Sequence, residues 1–171
     1  MLAIAQATTS AEIDAVRGLI REFTTWAFTL EGSADEAPTF QGLDAELATL
    51  PGIFAPPAGR LLLATLDGQP AGCGALKPHD SVTSELKRMY VRPAFRGKAI
   101  GPQLVAALIG EARSAGYGRV ILDSHISMTR AHAIYRAAGF RSVTEPVDFP
   151  KALIPLVVFM ELTLDGTPVE G

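Results

Sequence analysis

A single cysteine, Cys73, leaves these 171 residues without any internal disulfide. The fold must be held by its core, and the cysteine count is compatible with a reducing cytosol. No stretch approaches the ~20 uncharged apolar residues of a membrane helix. The start MLAIAQATTS has neither the basic region nor the long apolar run of a secretory leader. These absences favour a soluble cytoplasmic protein with no membrane partner. Fifteen basic against 18 acidic residues give a net charge of −3. No dense Lys/Arg block could neutralise a polyphosphate backbone, so nucleic acid is not expected as a partner. There is also no repeat at a period of roughly 20 to 50 residues and no compositional break long enough for a linker, so residues 1–171 read as one domain. What is present is a 48% hydrophobic composition, enough for a full core in a chain of a size that buries roughly 70% of its unfolded surface.

The apolar periodicity changes along the chain. After a short apolar start, Ile13, Val16, Ile20 and Phe23 recur at helical spacing between Ser10, a candidate cap, and Phe28. Glu31 to Pro38 is acidic and turn-rich, and Leu43 to Leu50 offers a second short helix stopped by Pro51 and Gly52. From Arg60 the pattern becomes that of strands: LLLATL, then Asp67-Gly68, then QPAGCGAL reads as a tight hairpin. Ser84 to Val91 makes a third strand, expected to place Leu86, Arg88 and Tyr90 on one face and Glu85, Lys87, Met89 and Val91 on the other. Leu104, Leu108 and Ala112 mark an amphipathic helix from Gly101 to about Gly116. RVILDS is a strand suited to a sheet interior, Thr129 to Ala138 a last helix closed by Gly139, and LVVFMELTL a last strand. This order predicts an α/β (α+β) fold: a mixed, mostly antiparallel sheet of six to seven strands with helices on both faces.

The densest chemical signal is ELKRMYVRPAFRGKAIG, Glu85 to Gly101. A strand runs into a turn of small and basic residues that opens a helix, whose first amides have no partner inside the helix. Those amides, the positive end of the helix dipole, Arg96 and Lys98 together suit a phosphate or pyrophosphate. Gly97 and Gly101 allow the backbone to approach such a ligand closely.

With its neighbours, this segment resembles the GNAT superfamily of N-acetyltransferases, which hold the pyrophosphate of acetyl-CoA with a Q/R-x-x-G-x-G/A motif. Arg96-Gly97-Lys98-Ala99-Ile100-Gly101 matches at the first and last defined positions, with Ala99 where the middle glycine usually stands. Arg88-Met89-Tyr90-Val91-Arg92-Pro93 is similar to the family's bulged strand, which splays from the next parallel strand to admit the pantetheine arm. Ala131, Ile134, Tyr135, Gly139 and Phe140 resemble its A-x-x-x-Y-x-x-x-G-F signature. The resemblance covers about Arg60 to Leu162.

It implies an acetyl-CoA-dependent N-acetyltransferase in which a small-molecule amine attacks directly within a ternary complex, with no metal required. Tyr135 matches the acid that protonates the departing thiolate, and Glu85 stands where several members place a catalytic base. Met89, Tyr90 and Val91 would polarise the thioester carbonyl through backbone N–H groups. Arg96, Gly97, Lys98, Ala99, Ile100 and Gly101 would hold the phosphates. Ser127 would replace the pantetheine-contacting Asn usually found where Met128 stands.

By the same resemblance, the acceptor cleft is expected from about Trp26 to Phe54 and from Glu145 to Pro155. Its Glu31, Asp35, Glu36, Asp44, Glu145 and Asp148 mixed with aromatics would suit a cationic amine. His125 and His132 lack a third ligand for a metal site, while His125 follows RVILDS and Asp123 stands near its end, the end that by the resemblance faces the acyl site. Cys73 reads as a small buried residue. Two alternatives stay open: a transferase using a longer acyl-CoA, and a catalytically silent acyl-CoA-binding sensor. A homodimer is compatible with the apolar last strand, which could join a partner's sheet.

Overall fold

The computed structural model describes residues 1–30 and 40–164. Strand β1 (Leu2–Gln6) leads into helix α1 (Ser10–Ala27) and the short helix α2 (Leu43–Ala48). The meander β2 (Arg60–Leu66), β3 (Gln69–Pro78) and β4 (Thr83–Val91) follows. Next come α3 (Ile100–Ser114), β5 (Arg119–His125), α4 (Thr129–Ala137), β6 (Arg141–Val143) and β7 (Val157–Thr163). The seven strands form one mixed sheet in the order β1-β2-β3-β4-β5-β7-β6, and only β4 and β5 pair in parallel. This is the mixed α/β sheet that the pattern predicts. Among the described residues, no helix is long and apolar enough to cross a membrane.

The continuous apolar run of β2 reflects burial on both sides of the sheet. Leu61 and Leu63 pack with Val16, Leu19 and Ile20 of α1, while Leu62 and Ala64 pack with Leu104, Val105 and Leu108 of α3. A strand covered on both faces has no reason to alternate apolar with polar residues. Asp67 and Gly68 both adopt positive φ, +50 and +80, which matches the twist of the β2–β3 hairpin. Helix α3 lies so close to β3 that a Cβ on Gly74 would stand 2.7 Å from Leu108 Cδ1. Cys73, between Gly72 and Gly74, is fully buried, and burial pushes its thiol up to about 12.

Two expectations about local structure are corrected. The N-cap of α1 is Thr9 and not Ser10: Thr9 Oγ1 accepts from Glu12 N at 3.2 Å and Glu12 Oε2 accepts from Thr9 N at 3.0 Å. A hydroxyl followed three residues later by a carboxylate satisfies two orphan amides reciprocally, which Ser10 cannot do. The last strand, β7, is also no edge. It lies between β5 and β6, whose residues 141–143 return to cover Phe159 to Glu161, so the outer strands are β1 and β6.

Candidate active site

β4 and β5 hydrogen-bond only from Thr83–Arg119 to Glu85–Ile121. Beyond that rung β4 stays with β3, while β5 stays with β7 as far as His125–Val157. A gap therefore opens between two parallel strands, and from Leu86 onward the β5-facing edge of β4 pairs with no strand among the described residues. Gly74 opposes both Arg88 and Met89, because the register moves between Cys73–Tyr90 and Ala75–Lys87. The inserted residue, Arg88, has φ +57. One extra residue reverses every later side chain, so the expected shared face of Leu86, Arg88 and Tyr90 does not form. Leu86, Met89 and Val91 pack with the α3/α4 core, whereas Tyr90 turns to the α1 side, 5.8 Å from Phe23 between ring centroids.

The turn after β4 supplies the second part of the site. Gly97 and Ala99 both have positive φ, +78 and +59, and Ala99 is the N-cap of α3 with no side-chain hydrogen bond. The left-handed turn directs the chain back over the sheet and leaves the amides of Ile100 and Gly101 without intrahelical partners. Pro102 lacks the next one. A groove of about 640 Å³ begins here and runs along the open edge of β4 toward α4. Met89, Tyr90, Val91, Arg96, Gly97, Ala99, Ile100, Gly101 and Ser127 all line it; Lys98 does not and is exposed. Arg130, at the start of α4 on the opposite lip, adds a cation that the sequence reading missed. Only its place one turn before Ile134 in the helical signature could have flagged it. Trp26, expected on the acceptor side, also lines this groove.

A second cavity, about 110 Å³, lies on the far side of Tyr135. Its wall is drawn from α1 (Phe23, Ala27), Phe40, β4, β5, α4 and residues 149–157. Lys87 and Arg88 reach this wall from the bulge; Arg88 donates to both carboxylate oxygens of Glu46, at 2.8 and 3.1 Å, and lies 5.9 Å from the Phe40 ring centroid. The acidic lining expected here is not observed among the described residues: Asp44, Glu145 and Asp148 are exposed and line neither cavity. Glu31, Asp35 and Glu36 lie outside the described residues. Asp123 and His125 do line the wall.

Tyr135 borders both cavities. It is 5% exposed, and its hydroxyl makes no hydrogen bond to a described residue. Burial, and secondarily the charge of Asp123, raises its pKa far above the usual phenol value, so the proton stays on oxygen. Glu85 stands differently. It sits on the last paired rung of β4 and β5, between Lys87 Nζ at 3.4 Å and Lys77 Nζ at 3.6 Å, and lines neither cavity. His125 Nδ1 lies 2.8 Å from Ser127 Oγ and accepts from Ser127 N at 3.2 Å. His132, 3% exposed, approaches Ser124 Oγ with Nε2 at 3.0 Å. Its place three residues before Tyr135 on one helical face was the available signal for it.

A family model described as Acetyltransferase (GNAT) family matches residues 18–140. An uncharacterized N-acetyltransferase of Schizosaccharomyces pombe is 37% identical over 128 residues, covering 74% of this chain and 77% of the relative. Among solved structures, an acyl-CoA N-acyltransferase of Klebsiella pneumoniae superposes with TM-score 0.72 at 27% identity, covering 96% and 98% of the two chains. The PaiA N-acetyltransferase of Thermoplasma acidophilum, solved in complex with coenzyme A, superposes with TM-score 0.73 at 17% identity, covering 96% and 99%.

Proposed function

Because this chain belongs to the acetyltransferase (GNAT) family, we propose that it transfers an acetyl group from acetyl-CoA to the amine of a small molecule by direct attack in a ternary complex. The observation that carries the reading is the position of Tyr135 at the junction of the two cavities, with a hydroxyl that no described residue engages. The groove fits the carrier in three respects: free amides at a left-handed turn, Arg96 and Arg130 on opposite lips, and an apolar floor from Val91, Ile100 and Val105. Acetyl-CoA bound there supplies the acyl group as a thioester.

Arg96, Gly97, Ala99, Ile100, Gly101 and Arg130 hold the phosphates, and Ser127 lies beside the pantetheine path. Met89, Tyr90 and Val91 present the unpartnered β4 edge along the groove, where backbone N–H groups stabilise charge developing on a carbonyl oxygen. Tyr135, kept protonated by burial, donates to the departing sulfur, whose thiol resembles cysteine with an ordinary pKa near ~8.5. The amine must arrive deprotonated. Glu85 is the carboxylate that β4 offers, and from outside the cavity wall it would act through intervening water.

A panel of amines assayed by thiol release tests the reading. Turnover of at least one is expected, and binding of acetyl-CoA with no turnover of any would sustain a sensor instead. Acetyl-CoA at a hundred times its Kd should stabilise the fold by about 2.7 kcal/mol, and no thermal shift at millimolar ligand would remove the cofactor assignment altogether.

A further inference from the structure

His132 is almost fully buried in α4, yet the site as described gives it nothing to do. Its Nε2 lies 3.0 Å from Ser124 Oγ. In the neutral imidazole one ring nitrogen is a donor and the other an acceptor, and in the tautomer that carries its proton on Nδ1 the serine donates to Nε2. The competing acceptor, Met128 Sδ at 3.5 Å, is a weak thioether. Ser124 lines the acceptor cavity with Tyr135, and its oxygen keeps lone pairs for a donor arriving there. In that tautomer the pair runs from the buried ring of His132 through Ser124 to the cavity wall.

We propose that Ser124 and His132 form the relay that deprotonates the acceptor: the incoming ammonium gives a proton to Ser124 Oγ as the serine hydroxyl proton passes to His132 Nε2. The amine gains the lone pair with which it attacks. His132 becomes an imidazolium that donates from Nε2 to Ser124, and returns its proton by the same path after product leaves. No oxidant, metal or further reactant is involved. Ser124 touches the substrate, and His132 acts through it. The relay rests on the N-acetyltransferase reading and replaces the longer water path to Glu85.

Burial, then the charge of Arg136 on the same helix, lowers the His132 pKa against a smaller raising influence of the His125 backbone, and the charge of His125 of β5 lowers it further. The ring is therefore neutral and ready to accept at neutral pH. Lys87, Arg88, Asp123 and Tyr135 are the other titratable groups on the shared cavity wall.

The test measures kcat/KM against pH for the wild type, Ser124→Ala, Ser124→Thr, His132→Gln and the Ser124→Ala/His132→Gln double variant. The acceptors are putrescine, L-aspartate, phenethylamine, kanamycin and an alanyl peptide. Ser124→Ala and His132→Gln should each lower kcat about 100-fold, the double variant should be no worse than either, and Ser124→Thr should keep most activity. Acetyl-CoA binding should be unchanged in all, and the acid limb of the wild-type profile should vanish in the single variants. Wild-type rates in Ser124→Ala, or additive losses with the acid limb retained, would overturn the relay alone. A wild type that binds acetyl-CoA and acetylates none of the five would overturn the acetyltransferase reading and the relay with it. Should His132→Gln fail to fold, the half-buried Ser124 pair still decides the matter.

Discussion

The two cavities that meet at Tyr135 are built in opposite ways. The wall of the cofactor groove comes largely from one continuous segment, Met89 to Val105, and much of its chemistry is backbone: an unpaired strand edge, a left-handed turn and the open end of a helix. The acceptor cavity takes its wall from elements far apart in the chain, from Phe23 to Val157, and gathers Lys87, Arg88, Asp123, Ser124 and His125 from two strands among aromatic residues of other elements. A site made of backbone tolerates substitution and keeps one ligand. A site made of scattered side chains can be altered one residue at a time, which is where acceptor specificity has room to vary.

Substitutions should separate the two halves. The largest effect is expected at their junction: Tyr135→Phe should cut kcat by about 100-fold with acetyl-CoA affinity kept. Equal rates would remove the tyrosine from acid catalysis. On the groove side, Arg96→Ala with Arg130→Ala should weaken acetyl-CoA binding about tenfold, more at low salt than at high, with little change in acceptor KM. Phe149→Ala on the other side should do the reverse, raising acceptor KM several-fold through lost apolar contact while leaving acetyl-CoA titrations unchanged. If either change crosses the boundary at Tyr135, the division is too sharp.

Two smaller effects bear on how each half is held. His132 is favoured in its neutral form by the fold. Its contribution to stability is present above its ordinary pKa near ~6.5 and is lost as pH falls below that value. Thermal melts across that window should therefore fall more steeply for the wild type than for His132→Gln. In the groove, Ala99 occupies a left-handed position at φ +59, which a Cβ disfavours by about 1 kcal/mol. Ala99→Gly should raise Tm by roughly 2–4 °C, and a drop would mean that the methyl makes contacts outweighing the strain.

These contrasts also explain what could be read before the fold was known. The hairpin at Asp67-Gly68, the sheet-interior strand RVILDS and the turn before α3 are local matters of φ, periodicity and glycine placement. The bulge at Arg88 was not local. Its register is set by Gly74 on β3, so a simple alternation put Arg88 and Tyr90 on the wrong side. Glu85 was chosen by its distance along β4, but the last rung shared with β5 holds it between two lysines and outside the cavities. The acidic acceptor lining was inferred from composition, whereas the described wall has Lys87, Arg88, aromatics and one carboxylate, Asp123, with Asp44, Glu145 and Asp148 exposed elsewhere.

Sequence alone determined that a strand, a turn of small and basic residues and a helix would present free amides beside cations, because those properties are written in consecutive residues. Only the tertiary structure decided that β5 would leave β4 after Glu85, that Tyr135 would stand where two cavities join, and that Ser124 would meet His132. Each of these depends on which strand takes the hydrogen bonds of a neighbour, and that competition is settled between segments distant in the chain.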